Sequence, residues 1–158
     1  IGLVLQDPEL FEGTVRDNIV LGAPQASDEE ILEAARKAGV ERFVALHPMG
    51  FDMPVGERGA LVSGGQRQAI ALARTLLADP KVLFLDEPSS SMDMSTEREL
   101  VQHLRESLKE DHTVIIATHR QSLLSLVDRL LVIDNGRLIA DGPRDEVLAQ
   151  LKSNGASA

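Results

Sequence analysis

The sequence predicts an α/β fold, a parallel-sheet core with a helical subdomain inserted after its first strand, and three observations carry that prediction. Ile1-Gly2-Leu3-Val4-Leu5, Val82-Leu83-Phe84-Leu85 and Val114-Ile115-Ile116-Ala117 are short continuous apolar runs, the pattern of strands in a parallel sheet covered on both faces. Between the last two runs Leu100, Val101, Leu104 and Leu108 recur at helical spacing, which completes a β-α-β unit. Between the first two runs only helix and turn signals occur.

Composition narrows the function. A chain of 158 residues, 43% hydrophobic, can bury one compact core but not two full-sized domains. Asp and Glu number 25 against 16 Lys and Arg, and a net charge of −9 gives no electrostatic footprint for nucleic acid. Without Cys there is no disulfide framework, thiolate metal site or thiol nucleophile. Four Phe, with neither Trp nor Tyr, leave almost no stacking platform for bases or sugars. No apolar run reaches the roughly 20 residues that span a bilayer. The chain opens without Met in a strand already under way, so it is expected to be part of a longer polypeptide.

After the opening strand, Gln6-Asp7-Pro8-Glu9 breaks the period, and 14–21 reads as a short helix stopped by Gly22 and Pro24. Ser27 and Glu30 form a capping box before Ile31, Ala34, Ala35 and Ala38, with Gly39 as the stop. A turn or two follows over 40–46, then a polar loop over 47–62 of a length usually kept for function. Apolar residues at 69, 70, 72, 73, 76 and 77 mark an amphipathic helix ended by Asp79-Pro80. In the second half a helix starts near Ser95, a short one covers 123–127, and 130–133 is a strand. Asp134-Asn135-Gly136 turns that strand into its partner at 137–140, and Pro143 takes the first position of a last helix. The tail is expected over 152–158.

Four clusters carry chemistry. Val62-Ser63-Gly64-Gly65-Gln66 reads as a capping box, with Ser63 as cap, and equally as an anion site, because two glycines leave backbone N–H groups open at a helix N-terminus. The run Val82-Leu83-Phe84-Leu85-Asp86-Glu87-Pro88 delivers two adjacent carboxylates to the C-terminal edge of a parallel strand, where ligands of open α/β sheets bind. Alone, such a pair is an acidic strand-to-loop junction. An Asp in that place can hold Mg²⁺, and the next carboxylate can polarise a water. His119, in Ala117-Thr118-His119-Arg120, ends the following strand and so falls near the same edge. Gln6 follows the first strand and alone is a surface polar residue. His47, His103 and His112 lack partners at metal-ligand spacing and read as surface residues, so no metal is held by protein side chains alone.

In order, Gln6, the Val62–Gln66 cluster, the Val82–Glu87 strand and His119 resemble the Q-loop, signature, Walker B strand with catalytic Glu, and switch His of an ABC transporter ATPase domain. Ser90-Ser91-Met92-Asp93 is similar to the D-loop of that family, with Ser and Met where Ala and Leu are frequent. Gly56-Glu57-Arg58-Gly59 resembles the loop by which exporter ATPases touch their membrane domains. Gln6-Asp7-Pro8-Glu9-Leu10-Phe11, Gly13-Thr14-Val15-Arg16-Asp17-Asn18-Ile19 and Thr118-His119-Arg120 look most like the type I protein secretion branch. No G-x-x-x-x-G-K-[ST] occurs in the sequence, so the P-loop (Walker A) that precedes the Q-loop in this family is absent from it.

The resemblance implies a P-loop NTPase-like fold divided into the Q-loop strand (1–8), a helical signature subdomain (9–79), the C-terminal part of the catalytic core (80–151) and the tail. It implies ATP and Mg²⁺ as cofactors and coupling of ATP hydrolysis to export. Glu87 and His119 would be catalytic; Asp86, and Gln6 through bound ATP, would serve the Mg²⁺; Gln6, Ser63, Gly64, Gly65, Gln66 and Asp93 would contact nucleotide. The implied partners are a second ATPase domain, head to tail, and the exporter's transmembrane domains, met through the Gln6 region and 56–59 at the cytoplasmic face of the cell membrane. Without its P-loop the isolated chain is expected to be inactive. The alternatives are a non-catalytic interaction fragment and a soluble ATPase of the same superfamily unconnected with transport.

Overall fold

The computed structural model describes residues 1–155. In chain order it contains β1 (Gly2–Val4), α1 (Val15–Val20), α2 (Asp28–Lys37), α3 (Glu41–Val44), 3-10 turns at Gly50–Asp52 and Glu57–Gly59, and α4 (Gly64–Leu77). There follow β2 (Val82–Asp86), α5 (Met94–Ser107), β3 (Thr113–Ala117), a 3-10 segment at Gln121–Leu126, β4 (Arg129–Asp134), β5 (Arg137–Pro143) and α6 (Arg144–Gly155). The chain forms two compact units, Ile1–His119 and the part that begins at Arg120.

In the first unit β1, β2 and β3 make a parallel sheet with β2 in the centre, in register Gly2↔Leu83 and Leu85↔Ile116. The chain between β1 and β2 is helical, as expected. One sheet face is core: Val4, Leu83 and Leu85 are buried, as are Ala69, Ile70, Leu72 and Ala73 of α4, which packs on β1. Gly2 permits that packing, since a Cβ there would lie 2.5 Å from Thr75 Cγ2 and 2.7 Å from Pro80 Cγ. The opposite face departs from the expectation of a sheet covered on both sides. Leu3, Phe84 and Ile115 stand side by side across the strands and are 57%, 37% and 48% exposed. Alternate residues of each strand face that side, and no helix among the described residues of this unit lies over it.

α1, α2, α4 and α5 begin where short polar residues take up the first free N–H groups. Thr14 and Asp17 form one capping box and Ser27 and Glu30 another. A wholly buried amide then joins α1 to α4. Asn18 Nδ2 donates to the carbonyls of Phe11 (2.8 Å) and Thr14 (3.0 Å), and Asn18 Oδ1 accepts from the Phe11 N–H at 2.9 Å. Arg74 of α4 donates to Asn18 O (2.9 Å) and Oδ1 (2.8 Å) while its guanidinium lies 5.6 Å from the Phe11 ring centre. The long loop after α3 is tied back by Val15 N–H to Met53 O and Val55 N–H to Gly13 O, both 2.9 Å.

In the second unit β4 and β5 form an antiparallel hairpin whose turn residues Asn135 (φ 48°) and Gly136 (φ 74°) take the left-handed conformations of a tight two-residue turn. Pro143 does not open the last helix. It ends β5 opposite Arg129, because the ladder runs past Ala140, and α6 starts one residue later. That helix continues through residue 155, beyond the expected start of the tail at 152, and residues 156–158 lie outside the described residues. Among the described residues no helix is long and apolar enough to cross a membrane.

Two outcomes are expected from this architecture. The exposed Leu3, Phe84 and Ile115 row should make the isolated chain self-associate, with a sedimentation coefficient that rises with concentration and a shift toward monomer in Phe84→Ser; a concentration-independent monomer would contradict it. The second concerns Asp93, the N-cap of α5. Hydrogen bonds from the Ser95 hydroxyl and then the Thr96 N–H hold its carboxyl well below the usual carboxylate range. The stability this confers is present above about pH 4 and is lost as pH falls toward the lowered folded value. Asp93→Asn keeps a cap that does not titrate, so the fall in melting temperature between neutral and strongly acidic pH should be smaller in the variant.

Candidate functional site

β2 delivers Asp86 opposite Ala117, and the next residue leaves the strand in an unusual way. Glu87 has φ +44°, the left-handed region, which costs a side-chain-bearing residue on the order of 1 kcal/mol or more. Its backbone is pinned on both sides. Its N–H donates to Ala117 O at 2.9 Å, and its carbonyl accepts from Ser90 N–H at 3.0 Å and from Gln68 Nε2 at 3.0 Å. The turn brings the carboxylate to the end of β3. Oε2 accepts from Thr118 Oγ1 at 3.1 Å; Oε1 accepts from the His119 N–H at 3.1 Å and lies 2.7 Å from His119 Nδ1. The ring is tied to Glu87 through its Nδ1 edge, and the His119 side chain is 76% exposed. Asp86 is exposed, and its carboxylate has no partner among the described residues. Two carboxylates therefore stand on adjacent residues, one anchored and one free.

The 63–66 cluster forms the capping box: Ser63 Oγ accepts from Gln66 N–H at 3.2 Å and Gln66 Oε1 from Ser63 N–H at 2.8 Å. That leaves the Gly64 and Gly65 N–H groups, which have no intrahelical acceptor. Both glycines also have a packing reason. A Cβ on Gly64 would lie 3.0 Å from Ser91 Cβ and Oγ, and one on Gly65 would lie 3.0 Å from Ser91 O, so the loop after β2 rests directly on the helix start. Substitution at Gly65 therefore disturbs packing whether or not a ligand approaches. Ser63, Gly65, Gln66, Ser91, Asp93 and Thr96 share a groove of about 300 Å³ with α3 residues such as Phe43. Asp93 lines it with its acceptors occupied, by Ser95 N–H (2.8 Å) and Oγ (2.6 Å) and Thr96 N–H (3.0 Å) and Oγ1 (2.9 Å).

Gln6 has an exposed side chain, and its carbonyl accepts from Gln68 Nε2 at 3.2 Å. The 56–59 loop is bound to α4 from the other side: Arg67 Nη1 donates to Val62 O at 3.0 Å and Gly59 O at 3.4 Å, and Gly56 and Gly59 both take positive φ. The structure thus brings Glu87, Thr118 and His119 into direct contact and joins Gln6 to them through one residue, Gln68. Motif reading passed Gln68 over. Its signal was a polar residue at 68, on the same helical face as Leu72 and Leu76, where an amide is costly unless satisfied. His103 and His112 differ from the surface expectation: the His112 side chain, in the turn before β3, is only 7% exposed, and His103 Nδ1, on α5, is buried without a partner. Among the described residues no group of three or more His, Asp or Glu is arranged as a metal site.

A central parallel strand with carboxylates at its C-terminal end, flanked by an inserted helical layer, defines an α/β protein of the P-loop NTPase type. Residues 1–90 match the family model for ABC transporters, and the chain belongs to that family. A Staphylococcus aureus (strain NCTC 8325) protein bearing the name multidrug export ATP-binding/permease protein is 43% identical over 150 residues, 95% of this chain. Its counterpart in the bovine strain RF122 is 42% identical over the same length. The chain spans 26% of the length of each of these relatives. The solved structure of a bacterial Atm1-family ABC exporter with ATP bound superposes with a TM-score of 0.87 at 39% identity, over 94% of this chain and 26% of that one.

Ser63→Ala is expected to cost about 1 kcal/mol in urea unfolding and Ser63→Asn only a few tenths, since Asn restores the cap acceptor. Equal losses in the two variants would mean that the hydroxyl does something the cap does not.

Proposed function

We propose that this chain is the greater part of the ATPase domain of an ABC exporter, in which Glu87 is the base that turns ATP binding into hydrolysis. The observation that carries the reading is the Glu87 carboxylate held at its edge of the sheet by Thr118 and His119, with unpartnered Asp86 beside it. Glu87 orients an attacking water and accepts its proton. His119, fixed through Nδ1, offers Nε2 to the terminal phosphate, and the Gln6 side chain lies free to sense it. Asp86 suits Mg²⁺, a hard cation that takes carboxylate oxygens and that would neutralise phosphate charge there. The Ser63 hydroxyl and the open Gly64 and Gly65 N–H groups suit the γ-phosphate held by a second ATPase domain, which makes the working unit a head-to-tail pair. Gln66 and Asp93 would border that site as structural caps. This reading takes 9–79 as the helical signature subdomain and 80–151 as catalytic core.

In the parent protein the Gln6 region and the 56–59 loop, braced by Arg67, would meet transmembrane domains at the cytoplasmic face of the cell membrane. The motif likeness favours a type I secretion ATPase with a protein cargo. The names of the relatives favour a small-molecule cargo instead, and that second reading rests on their 43% and 42% identity. Stimulation of turnover by one cargo class and not the other separates the two.

In the full-length parent, Glu87→Gln should lower ATP turnover by at least about a hundredfold while leaving ATP affinity within a few-fold. Affinity lost together with turnover would make Glu87 a structural or metal-holding residue. The isolated chain should hydrolyse ATP no faster than Mg²⁺ buffer, because phosphate positioning supplies most of the catalysis in phosphoryl transfer. Turnover above background that vanishes in Glu87→Gln would overturn that expectation.

A further inference from the structure

Gln68 belongs to none of the clusters that the sequence singles out, yet its side chain makes four hydrogen bonds within the first unit. It is 1% exposed, in the second turn of α4. Its Nε2 donates to Ser90 Oγ at 2.8 Å, Glu87 O at 3.0 Å and Gln6 O at 3.2 Å, and its Oε1 accepts from Ser91 N–H at 3.2 Å. The orientation of the amide follows from these partners. Flipped, it would set Oε1 against two carbonyl oxygens and its N–H groups against a backbone N–H. Two amide hydrogens serve three acceptors, so one is shared, and the side chain has no spare capacity for a ligand.

The partners are what give the residue a role. Gln6 O lies in the loop after β1, whereas Glu87 O and the Ser91 N–H lie at the start and middle of the loop after β2, whose Ser91 rests on Gly64 and Gly65. Glu87 is also the residue held at φ +44°, a conformation that persists only where its surroundings over-determine it. Of the bonds that fix its backbone, the one from Gln68 comes from outside the sheet and its own turn, and from the helix that carries the Ser63 cap.

We propose that Gln68 is a positioning residue for the hydrolysis assigned to Glu87: it holds the Glu87 peptide in its left-handed turn, and so aims the carboxylate, while locking the start of α4 to the loops after β1 and β2. Its amide is taken up by Gln6, Glu87, Ser90 and Ser91, so it acts through Glu87 and not on the nucleotide itself. Movement of α4 reaches Glu87 and Gln6 through this amide without any intervening side chain. The proposal rests on the reading of Glu87 as base, and its test is built so that the two can fail separately.

The experiment is a double-substitution cycle in the full-length parent, with Gln68→Leu, Glu87→Gln and the pair, measuring kcat and KM for ATP together with the melting temperature. Gln68→Leu should lower kcat by about tenfold or more with KM for ATP within about threefold. In the Glu87→Gln background the same change should alter residual turnover by less than about twofold, because the group it aims is already disabled. An unchanged kcat in Gln68→Leu, or an equal loss in both backgrounds, overturns the positioning role and leaves Gln68 as a packing amide. Gln68→Asn, which keeps the amide one methylene short, carries the same cycle if Gln68→Leu does not fold; failure of both to fold makes the residue structural and also overturns the proposal. Unimpaired turnover in Glu87→Gln alone refutes the base instead, and does so independently of any result at 68.

Discussion

The peptide that follows Asp86 turns into the left-handed region, and the hydrogen bonds that keep it there organise the rest of the first unit. Glu87 N–H extends the β2–β3 ladder by one rung at Ala117, so its position is set by sheet register. Its carbonyl faces the other way, toward α4 and the turn at Ser90. A left-handed Glu exchanges some stability for direction: the side chain is thrown sideways onto Thr118 and His119, and Asp86 is left pointing free at the same edge. Extended backbone at 87 would continue the strand's alternation and aim the carboxylate elsewhere.

The start of α4 shows how little conflict there is between a structural and a chemical use of the same residues. Ser63 and Gln66 close a capping box, which is enough to explain both. The glycines between them let Ser91 come within contact distance, which is enough to explain their size. Neither use consumes the Gly64 and Gly65 N–H groups. A helix start built in this way is fixed by its own cap and packing, which would suit the proposed anion site, since a preorganised site spends less binding energy on ordering itself. Asp93 is a counter-example: its carboxylate is consumed by Ser95 and Thr96, so its contribution lies in fixing α5 and one wall of the groove.

The two faces of the parallel sheet are unequal. Val4, Leu83 and Leu85 are sealed on the α4 side, whereas Leu3, Phe84 and Ile115 present a continuous apolar row. Parallel strands carry apolar residues on both faces because they are ordinarily covered twice. The chain spans 26% of the length of the relatives it matches.

What the sequence determined by itself is local. The strand runs, the Ser27 and Ser63 caps, the Asn135-Gly136 turn and the inserted helical stretch were legible because each depends on a period or on the conformational limits of a few neighbouring residues. The clusters at 63–66, 86–87 and 119 were legible as an ordered set, by resemblance. Their geometry was not: that Glu87 bonds Thr118 and His119 depends on two strands brought into register across more than thirty residues, and no local pattern encodes it. Pro143 was misread because a ladder can run on to an edge proline, which only the partner strand decides. Gln68 was invisible for the same reason at larger scale. A glutamine one position before an apolar stripe resembles any solvated polar residue until packing removes the water, and its value then lies in the Gln6, Glu87 and Ser91 backbone groups that the fold, not the sequence, sets around it.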